Sequence, residues 1–573
     1  MLPSLFEWDN YTECIQNGNE YCKVQGILKI PVSNTSLYNL FEERKNNENF
    51  LDPSLVYRAI CVDKQEVDER NISKIQYLYN EINKKLEMYH VSSEIESYYC
   101  TDGKAHVNDY DIIILIGTIL YILMVLYATC FTDKTSTSGL KHFSLYNSFA
   151  KKMDISKIKL AHLNSFRFIS LLIVIFIHMS LQWLGIYVEN PEFLAETYMT
   201  PPYLVHFRKF FSVVVLSFFL ISSWLATERI HGIFRDHGEF SVKHFGIILI
   251  NRYFRYTAAP IFVILTISNW KYLLSGPVNF DFLLQSDEVC RKYWWSSVLC
   301  LNNFFSIEQV CNMHMWFISA DFQIYVIIAL THYVIFRKKL NIIRTHCIIL
   351  FVFCCLHGCL LYTYNVGTGF TPTMRSMFSY NLNKSLSFSI GYISTFANVS
   401  SSFIGVILGS VRFIYGDVKF SPSRRLILLW KTSVIVLPIL ALQLSIAEGR
   451  GWIEAVLGSI CRPMITLGAG LFLLGISFNL GGIMKRIMRN RYLVILGNFC
   501  FPIYVTHFII CRFAYTSVPP RISNVIIVMD YLKTLAISII VGIIFGLIVE
   551  EPFGSLQTSL LPQLGKSYKI KKE

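Results

Sequence analysis

The sequence is short of charge: Asp, Glu, Lys and Arg together make up 16% of its 573 residues, against 53% hydrophobic. So little polar surface cannot cover the core of a chain this long, which excludes an ordinary water-soluble protein. No internal repeat, low-complexity tract or phosphate-cradling glycine loop occurs, so nothing points to a solenoid, a disordered linker or P-loop chemistry. Metal-ligand spacing is missing as well. His314, His357 and the adjacent Cys354 and Cys355 lack the HxxH or CxxC economy of a metal site, and none is expected. Acidic residues are the scarcer sign, 39 against 52 Lys and Arg, for a net charge of +13. In a membrane protein that excess belongs to juxtamembrane loops, so no nucleic-acid partner is expected.

Long apolar runs are plentiful. Segments able to cross about 30 Å of hydrocarbon at about 20 residues each begin near Asp111, Asn164, Phe207, Arg252, His314, Thr345, Phe388, Arg425, Glu454, Val494 and Asp530. These eleven candidates predict an all-α polytopic membrane protein whose first partner is the lipid bilayer. The loop after the first span carries Lys134, Lys141, Lys151, Lys152, Lys157 and Lys159, whereas the next, from Tyr187 to His206, has Glu189, Glu192 and Glu196 and no Lys or Arg before Arg208. By the positive-inside rule the first is cytoplasmic and the second is not. An odd number of spans then puts the N-terminus outside and the basic tail with Lys566, Lys569, Lys571 and Lys572 inside. The expected divisions are 1–109 before the first span, the span 110–131, a basic linker 132–163, a helical membrane domain 164–553 and a basic tail 554–573.

The N-terminal segment carries glycosylation sequons at Asn10, Asn34 and Asn71, which agree with an extracytoplasmic position. Cys14, Cys22, Cys61 and Cys100 allow two disulfides there in any of three pairings. Ile72, Ile75, Leu78, Tyr79, Ile82 and Leu86 recur at helical spacing and predict a small helical domain. No apolar leader precedes Glu7, so export of this domain would depend on the first span, or the sequence lacks its leader. Lys569-Ile-Lys571-Lys-Glu matches a short endoplasmic-reticulum retrieval pattern, which leaves that membrane and the plasma membrane as the two expected locations.

Ionisable side chains inside spans cost roughly 2.5–3.5 kcal/mol each on insertion scales, so they are functional candidates. His178 follows Arg167 by eleven residues, and eleven steps of 100° return to within about 20° of the starting direction. Both therefore face one stripe, about 16 Å apart along the axis. Arg252 and Arg255 share a face at the start of the next span but one, where two guanidinium groups could hold a phosphate-bearing ligand. Topological charge is the plainer alternative for all three arginines. Asp321 has Ser319, Gln323 and Tyr325 nearby and can belong to a structural polar cluster or a site. His507 is open in the same way, while His357 finds no partner by spacing.

These pieces, in this order, resemble the acyltransferase-3 superfamily and specifically its animal branch, the nose-resistant-to-fluoxetine proteins. The opening Leu2-Pro-Ser-Leu-Phe-Glu-Trp-Asp with Cys14 and Cys22 looks like that branch's N-terminal domain. Arg167 through His178 resembles the superfamily's Arg-x10-His motif, and Arg252-Tyr-Phe-Arg255 its Arg-x-x-Arg. The stretch Cys290 to Phe304, then His314-Met-Trp-Phe-Ile-Ser-Ala-Asp321, Tyr504-Val-Thr-His507 and Glu551-Pro-Phe553 are similar too. The resemblance implies ten helices of acyltransferase type after one extra span, and O-acyl transfer from a cytosolic acyl-CoA-like co-substrate to a hydroxyl or lipid acceptor. His178 would then be the general base, Arg167, Arg252 and Arg255 would neutralise donor phosphates, and Asp321 would support the polar site. Two departures stand out: Asn164-Ser165 replaces the Asp-Gly common before the motif Arg, and Phe396-Ala-Asn-Val-Ser-Ser-Ser-Phe is unusually Ser-rich. The animal branch is associated with lipid or drug uptake, so a transporter is the competing reading.

Overall fold

The structure, a computed structural model, describes the chain except residues 1–2, 30–34, 70, 105–106, 133–138, 157, 186–187, 274–275, 277–278, 379–384, 417–420, 448, 514–519 and 565–573. Asn34 and the basic tail therefore lie outside the described residues.

The N-terminal segment is not purely helical. Strands β1 (Phe6–Trp8), β2 (Glu20–Lys29), β3 (Leu55–Val62) and β4 (Ser92–Thr101) form one sheet in the order β1-β3-β2-β4, with β1 parallel to β3 and the other pairs antiparallel. The expected helix is present as α1 (Lys74–Leu86). It buries Tyr77, Leu78, Ile82 and Leu86 against Val24, Val56 and Ile60 of the sheet, while Ile75 and Tyr79 face outward. The helical reading missed the sheet because runs as short as Leu55–Val62 fit a buried strand or a helical turn equally well by periodicity. The disulfides are Cys14–Cys61 and Cys22–Cys100; the second bridges β2 to β4 at facing positions. Asn10 and Asn71 are both exposed, and Asn10 caps the short helix Tyr11–Gln16.

Among the described residues ten helices are long and apolar enough to cross a membrane, or eleven if the bent pair Arg491–Asn498 and Cys500–Arg512 is one span. All eleven expected segments correspond to these. The helices used below are α2 (Asp109–Phe131), α3 (Ala161–Gly185), α4 (Val205–Val213), α5 (Leu216–His237), α6 (Val242–Trp270) and α7 (Asn279–Val298). They continue as α8 (Trp316–Lys338), α9 (Ile342–Thr363), α10 (Thr395–Tyr415), α11 (Arg424–Ser445) and α12 (Trp452–Ser477). The last are α13 (Arg491–Asn498), α14 (Cys500–Phe513), α15 (Asn524–Phe545) and α16 (Glu551–Leu560). Two expected boundaries move. The Ser241 capping box starts α6 at Val242, so Arg252 lies about 15 Å along that helix and not at its mouth. The boundary at 553 falls inside α16, where Pro552 sits in the first turn and the missing amide costs nothing.

α5 and α10 form the buried centre. Gly405 and Gly409 on α10 let the two backbones close up, since a Cβ at Gly405 would lie 2.4 Å from the Leu220 carbonyl oxygen and one at Gly409 3.0 Å from that of Trp224. By contrast α2, α9 and α11 turn Ile113, Leu120, Phe351, Leu428 and Ile439 outward, an apolar belt that lipid would cover. The first span is tied to the rest by charge. Asp111, at the start of α2, pairs with Lys271 at 2.9 Å and Arg291 at 2.5 Å, and Lys271 also pairs with Asp287 on α7 at 2.8 Å. The N-terminal sheet rests on the bundle, with Tyr57 and Phe6 against Phe378 at ring distances of 5.3 and 5.6 Å. This is the sheet-bearing end; the ends of α5 and α8 with Arg235, Lys338 and Lys339 lie opposite.

Candidate functional site

Three histidines converge near the sheet-bearing end. His178 comes from α3, His507 from α14 and His314 from the turn Met313–Met315 leading into α8. Ring centroids are 4.9 Å apart for His178–His507, 5.4 Å for His314–His507 and 6.2 Å for His178–His314. The bend between α13 and α14, 68° at Phe499, swings His507 toward α3. Sequence reasoning found His178 and His507 separately and did not count His314 as a site residue, because it lies before the first regular turn of its span, where periodicity offers no partner.

Hydrogen bonds decide which nitrogens carry protons. His507 Nδ1 lies 2.6 Å from the Tyr504 carbonyl oxygen, which can only accept, so Nδ1–H is the donor. In the neutral ring Nε2 is then an acceptor, and it lies 2.6 Å from His178 Nδ1. His178 must therefore donate from Nδ1, which leaves an unshared pair on its Nε2. No hydrogen bond engages that atom among the described residues. His314 is buried with neither ring nitrogen hydrogen-bonded, stacked 4.8 Å from Phe508, while its carbonyl accepts the Tyr504 hydroxyl.

His178 and His314 line a narrow cavity with Phe211, Trp316, Tyr392 and Tyr504. About 30 Å³ of it is open to the centre of a water molecule, room for a water or a hydroxyl group but not for an acyl chain, since one water needs about 10–15 Å³ by that measure. A wider opening, about 470 Å³ between His231, Arg235, Phe336, Lys339 and Phe413, is at the opposite end and contains none of the candidate residues.

A second polar layer surrounds Tyr256. Arg252 donates to Asp321 at 2.6 Å and to Ser222 at 2.5 Å, and its guanidinium lies between the rings of Tyr256 and Tyr325 at 4.5 and 4.0 Å. Arg255, on the same helical face, turns instead to Glu550 at 2.6 Å. Gly554 permits this, since a Cβ there would stand 1.9 Å from the Arg255 Nη1. Lys152 also pairs with Glu550, and Lys151 pairs with Glu551 at 2.5 Å. Arg167 lies within electrostatic reach of Tyr256 and has no hydrogen bond or ion pair among the described residues. The carboxylate absent at Asn164 is consistent with that: Asn164 donates to Asn498 at 2.8 Å. Sequence reasoning missed Tyr256 and Glu550, the first because an aromatic in a span carries no signal, the second because its partner is about 300 residues away.

Ser319 is buried on α8. Gln323 cross-links the loop before that helix, donating to the Cys300 carbonyl at 2.7 Å and to Asn303 at 2.8 Å and accepting from Thr395. Cys290 and Cys311 form a third disulfide, and Cys300 stays reduced. Cys311 is three residues before His314, so the bridge anchors the loop that carries this ring. Replacing both cysteines by alanine is expected to destabilise the protein by about 3 kcal/mol, the value for a loop of roughly this length, read as a lowered unfolding midpoint.

Among the described residues the one group with metal-ligand spacing is Glu20, Cys22 and Cys100, and its two sulfurs are already joined in a disulfide. No curated protein matches the chain. Residues 160–549, from the start of α3 to the end of α15 and just beyond, match the family described as "Acyltransferase domain". That is most of the chain, with the three histidines and Arg167, Arg252, Arg255, Tyr256 and Asp321 inside it and Lys151, Lys152, Glu550 and Glu551 just outside, and the protein belongs to the acyltransferase-3 family.

Proposed function

We propose that the protein is a membrane-bound O-acyltransferase that uses a cytosolic acyl-CoA-like donor and a hydroxyl acceptor. The observation that carries this reading is the hydrogen bond between His178 and His507, which directs the His178 proton to Nδ1 and leaves Nε2 as a base, on a residue that lines a cavity with room for one hydroxyl group. His178 Nε2 takes the proton of the acceptor hydroxyl as its oxygen attacks the thioester carbonyl. The C–S bond breaks, the ester is formed, and the departing thiolate recovers the proton as CoA-SH. His507 holds the tautomer, and His314 offers a second ring to a water or to the developing oxyanion.

The donor phosphates belong at the opposite layer. Lys151, Lys152 and Arg255 face only Glu550 and Glu551, an excess of one positive charge, and Arg167 adds another. Arg252 is already neutralised by Asp321, so it is better suited to fixing α6 against α8 than to holding phosphate. Loop charge supports a cytoplasmic position for this end, with the N-terminal domain outside and Asn10 and Asn71 open to glycosylation. The disulfide-bonded sheet domain and its extra span are the features that favour the animal, nose-resistant-to-fluoxetine branch.

The competing reading is a lipid or drug transporter. The bent pair α13–α14 at His507 favours it, since broken helices line many transport sites. The test is CoA release from acetyl- and longer acyl-CoA by the purified protein in lipid nanodiscs, with a membrane extract as acceptor. Release that depends on acceptor supports the transferase; none with any donor, alongside ligand uptake into proteoliposomes, supports the transporter.

A further inference from the structure

Several inward-facing cations of this protein are matched by carboxylates: Arg58 by Glu7, Arg252 by Asp321, Lys152 by Glu550, Lys271 by Asp111 and Asp287. Lys209 on α4 and Arg462 on α12 are not, and neither is Arg208 beside Lys209, which donates to Asn49 and the Pro372 carbonyl. Lys209 and Arg462 are 3% and 7% exposed, and all their hydrogen-bond acceptors are neutral. Lys209 Nζ donates to Thr371 Oγ1 at 3.1 Å. Arg462 donates from Nε to the Ala397 carbonyl at 3.1 Å and from Nη2 to Asn398 Oδ1 at 2.6 Å. Among the described residues no carboxylate pairs with either, and Arg462 lies within electrostatic reach of Lys209. Two like charges within reach of each other in a low-dielectric interior are costly unless an anion joins them.

The surroundings point to where that anion comes from. Tyr392, a wall of the His178 cavity, lies 5.9 Å from the Arg462 guanidinium. Phe211, two residues beyond Lys209 on α4, forms another part of that wall. His357 on α9 is 1% exposed, neither of its ring nitrogens has a partner, and it is within electrostatic reach of Arg462. Arg462 thus lies one aromatic ring away from the cavity of the proposed base, with an unpartnered buried imidazole within its reach.

We propose that Lys209 and Arg462, with His357 as a neutral third contact, bind an oxyanion carried by the acceptor, so that the acceptor is a hydroxyl compound that also bears a phosphate or carboxylate. This rests on the acyl-transfer reading, and the same chemistry fits a soluble hydroxy acid or a hydroxylated anionic lipid. The local sequence supplies a neutral acceptor: the Ser-rich start of α10 contributes Asn398, which accepts from Arg462 without neutralising it.

The experiment measures the unfolding midpoint of the full chain by tryptophan fluorescence in neutral phosphatidylcholine nanodiscs at constant ionic strength. Glycerol phosphate is the soluble probe and lysophosphatidic acid the lipid probe, with glycerol and monoacylglycerol as uncharged controls. At least one phosphate probe is expected to raise the midpoint where its uncharged control does not, and the one that does identifies the source. Lys209→Met removes a charge and a single hydrogen bond and is expected to weaken that binding about tenfold or more, the worth of one charge-assisted contact. Arg462→Gln should act alike; because it also loosens α10, Lys209→Met decides if that variant does not fold. Equal shifts from charged and uncharged probes, or unchanged affinity in Lys209→Met, would overturn the proposal. Binding is read without turnover, so phosphate-specific stabilisation without CoA release would sink the transferase reading alone, and the reverse would sink the anion site alone.

Discussion

His178→Ala is expected to lower CoA release by about 10²–10⁴-fold, the usual contribution of a positioned general base, in a protein whose unfolding midpoint stays close to that of the wild type. Folding should tolerate the change because His178 makes one hydrogen bond, to His507, and is only partly buried. His507→Ala separates the proton argument from simple crowding. It removes the acceptor that obliges His178 to carry its proton on Nδ1, so a share of His178 rings would adopt the other tautomer and present N–H to the acceptor. Turnover should fall less than in His178→Ala, by roughly tenfold to a hundredfold, the scale of losing orientation of a reacting group. His507→Gln, whose side-chain oxygen can accept from His178, should recover part of the loss. Wild-type turnover in His178→Ala would remove His178 from the chemistry. Equal losses in His507→Ala and His507→Gln would make the contact one of packing and not of proton position.

The second large effect is on stability. Asp321→Ala leaves the Arg252 guanidinium buried with only the Ser222 hydroxyl and two tyrosine faces. Breaking a buried pair from one side typically costs about 3–5 kcal/mol, because the remaining charge is uncompensated. Arg252→Met strands the carboxylate instead and should cost a similar amount. The combination of Arg252→Met with Asp321→Leu removes both charges, and its midpoint should return most of the way to the wild-type value. Turnover of that double variant then distinguishes two roles. Near-normal activity means that the pair fixes α6 against α8; loss of activity in a stable protein means that Arg252 takes part in binding the donor. A double variant as unstable as either single one would show that shape, and not charge compensation, governs this contact.

Much of the architecture was legible one residue at a time. The apolar runs beginning near Asp111, Asn164 and Asp530 are spans because hydrocarbon accepts almost nothing else for about 20 residues, a rule that does not depend on the neighbours of a helix. The shared stripe of Arg167 and His178 is a property of a single helix and follows from its period. The helix Lys74–Leu86 was readable for the same reason, while the strands around it were not: Leu55–Val62 is buried on both faces, Arg58 included, and has no alternation to identify it.

What only the tertiary structure decided is which distant residues meet. His314 joins His178 and His507 across three segments separated by more than a hundred residues each. Arg252 and Arg255 look equivalent by spacing, yet one reaches Asp321 and the other Glu550. The disulfides resolve three possible pairings into one and add Cys290–Cys311. Burial in a membrane protein is costly for any charge, so the sequence alone marked Arg252 and Asp321 as side chains that need an explanation, though not Lys209 or Arg462. Whether a buried cation has a carboxylate partner, as Arg252 has, or only neutral ones, as Lys209 and Arg462 have, depends on contacts between helices, and no period or composition encodes them.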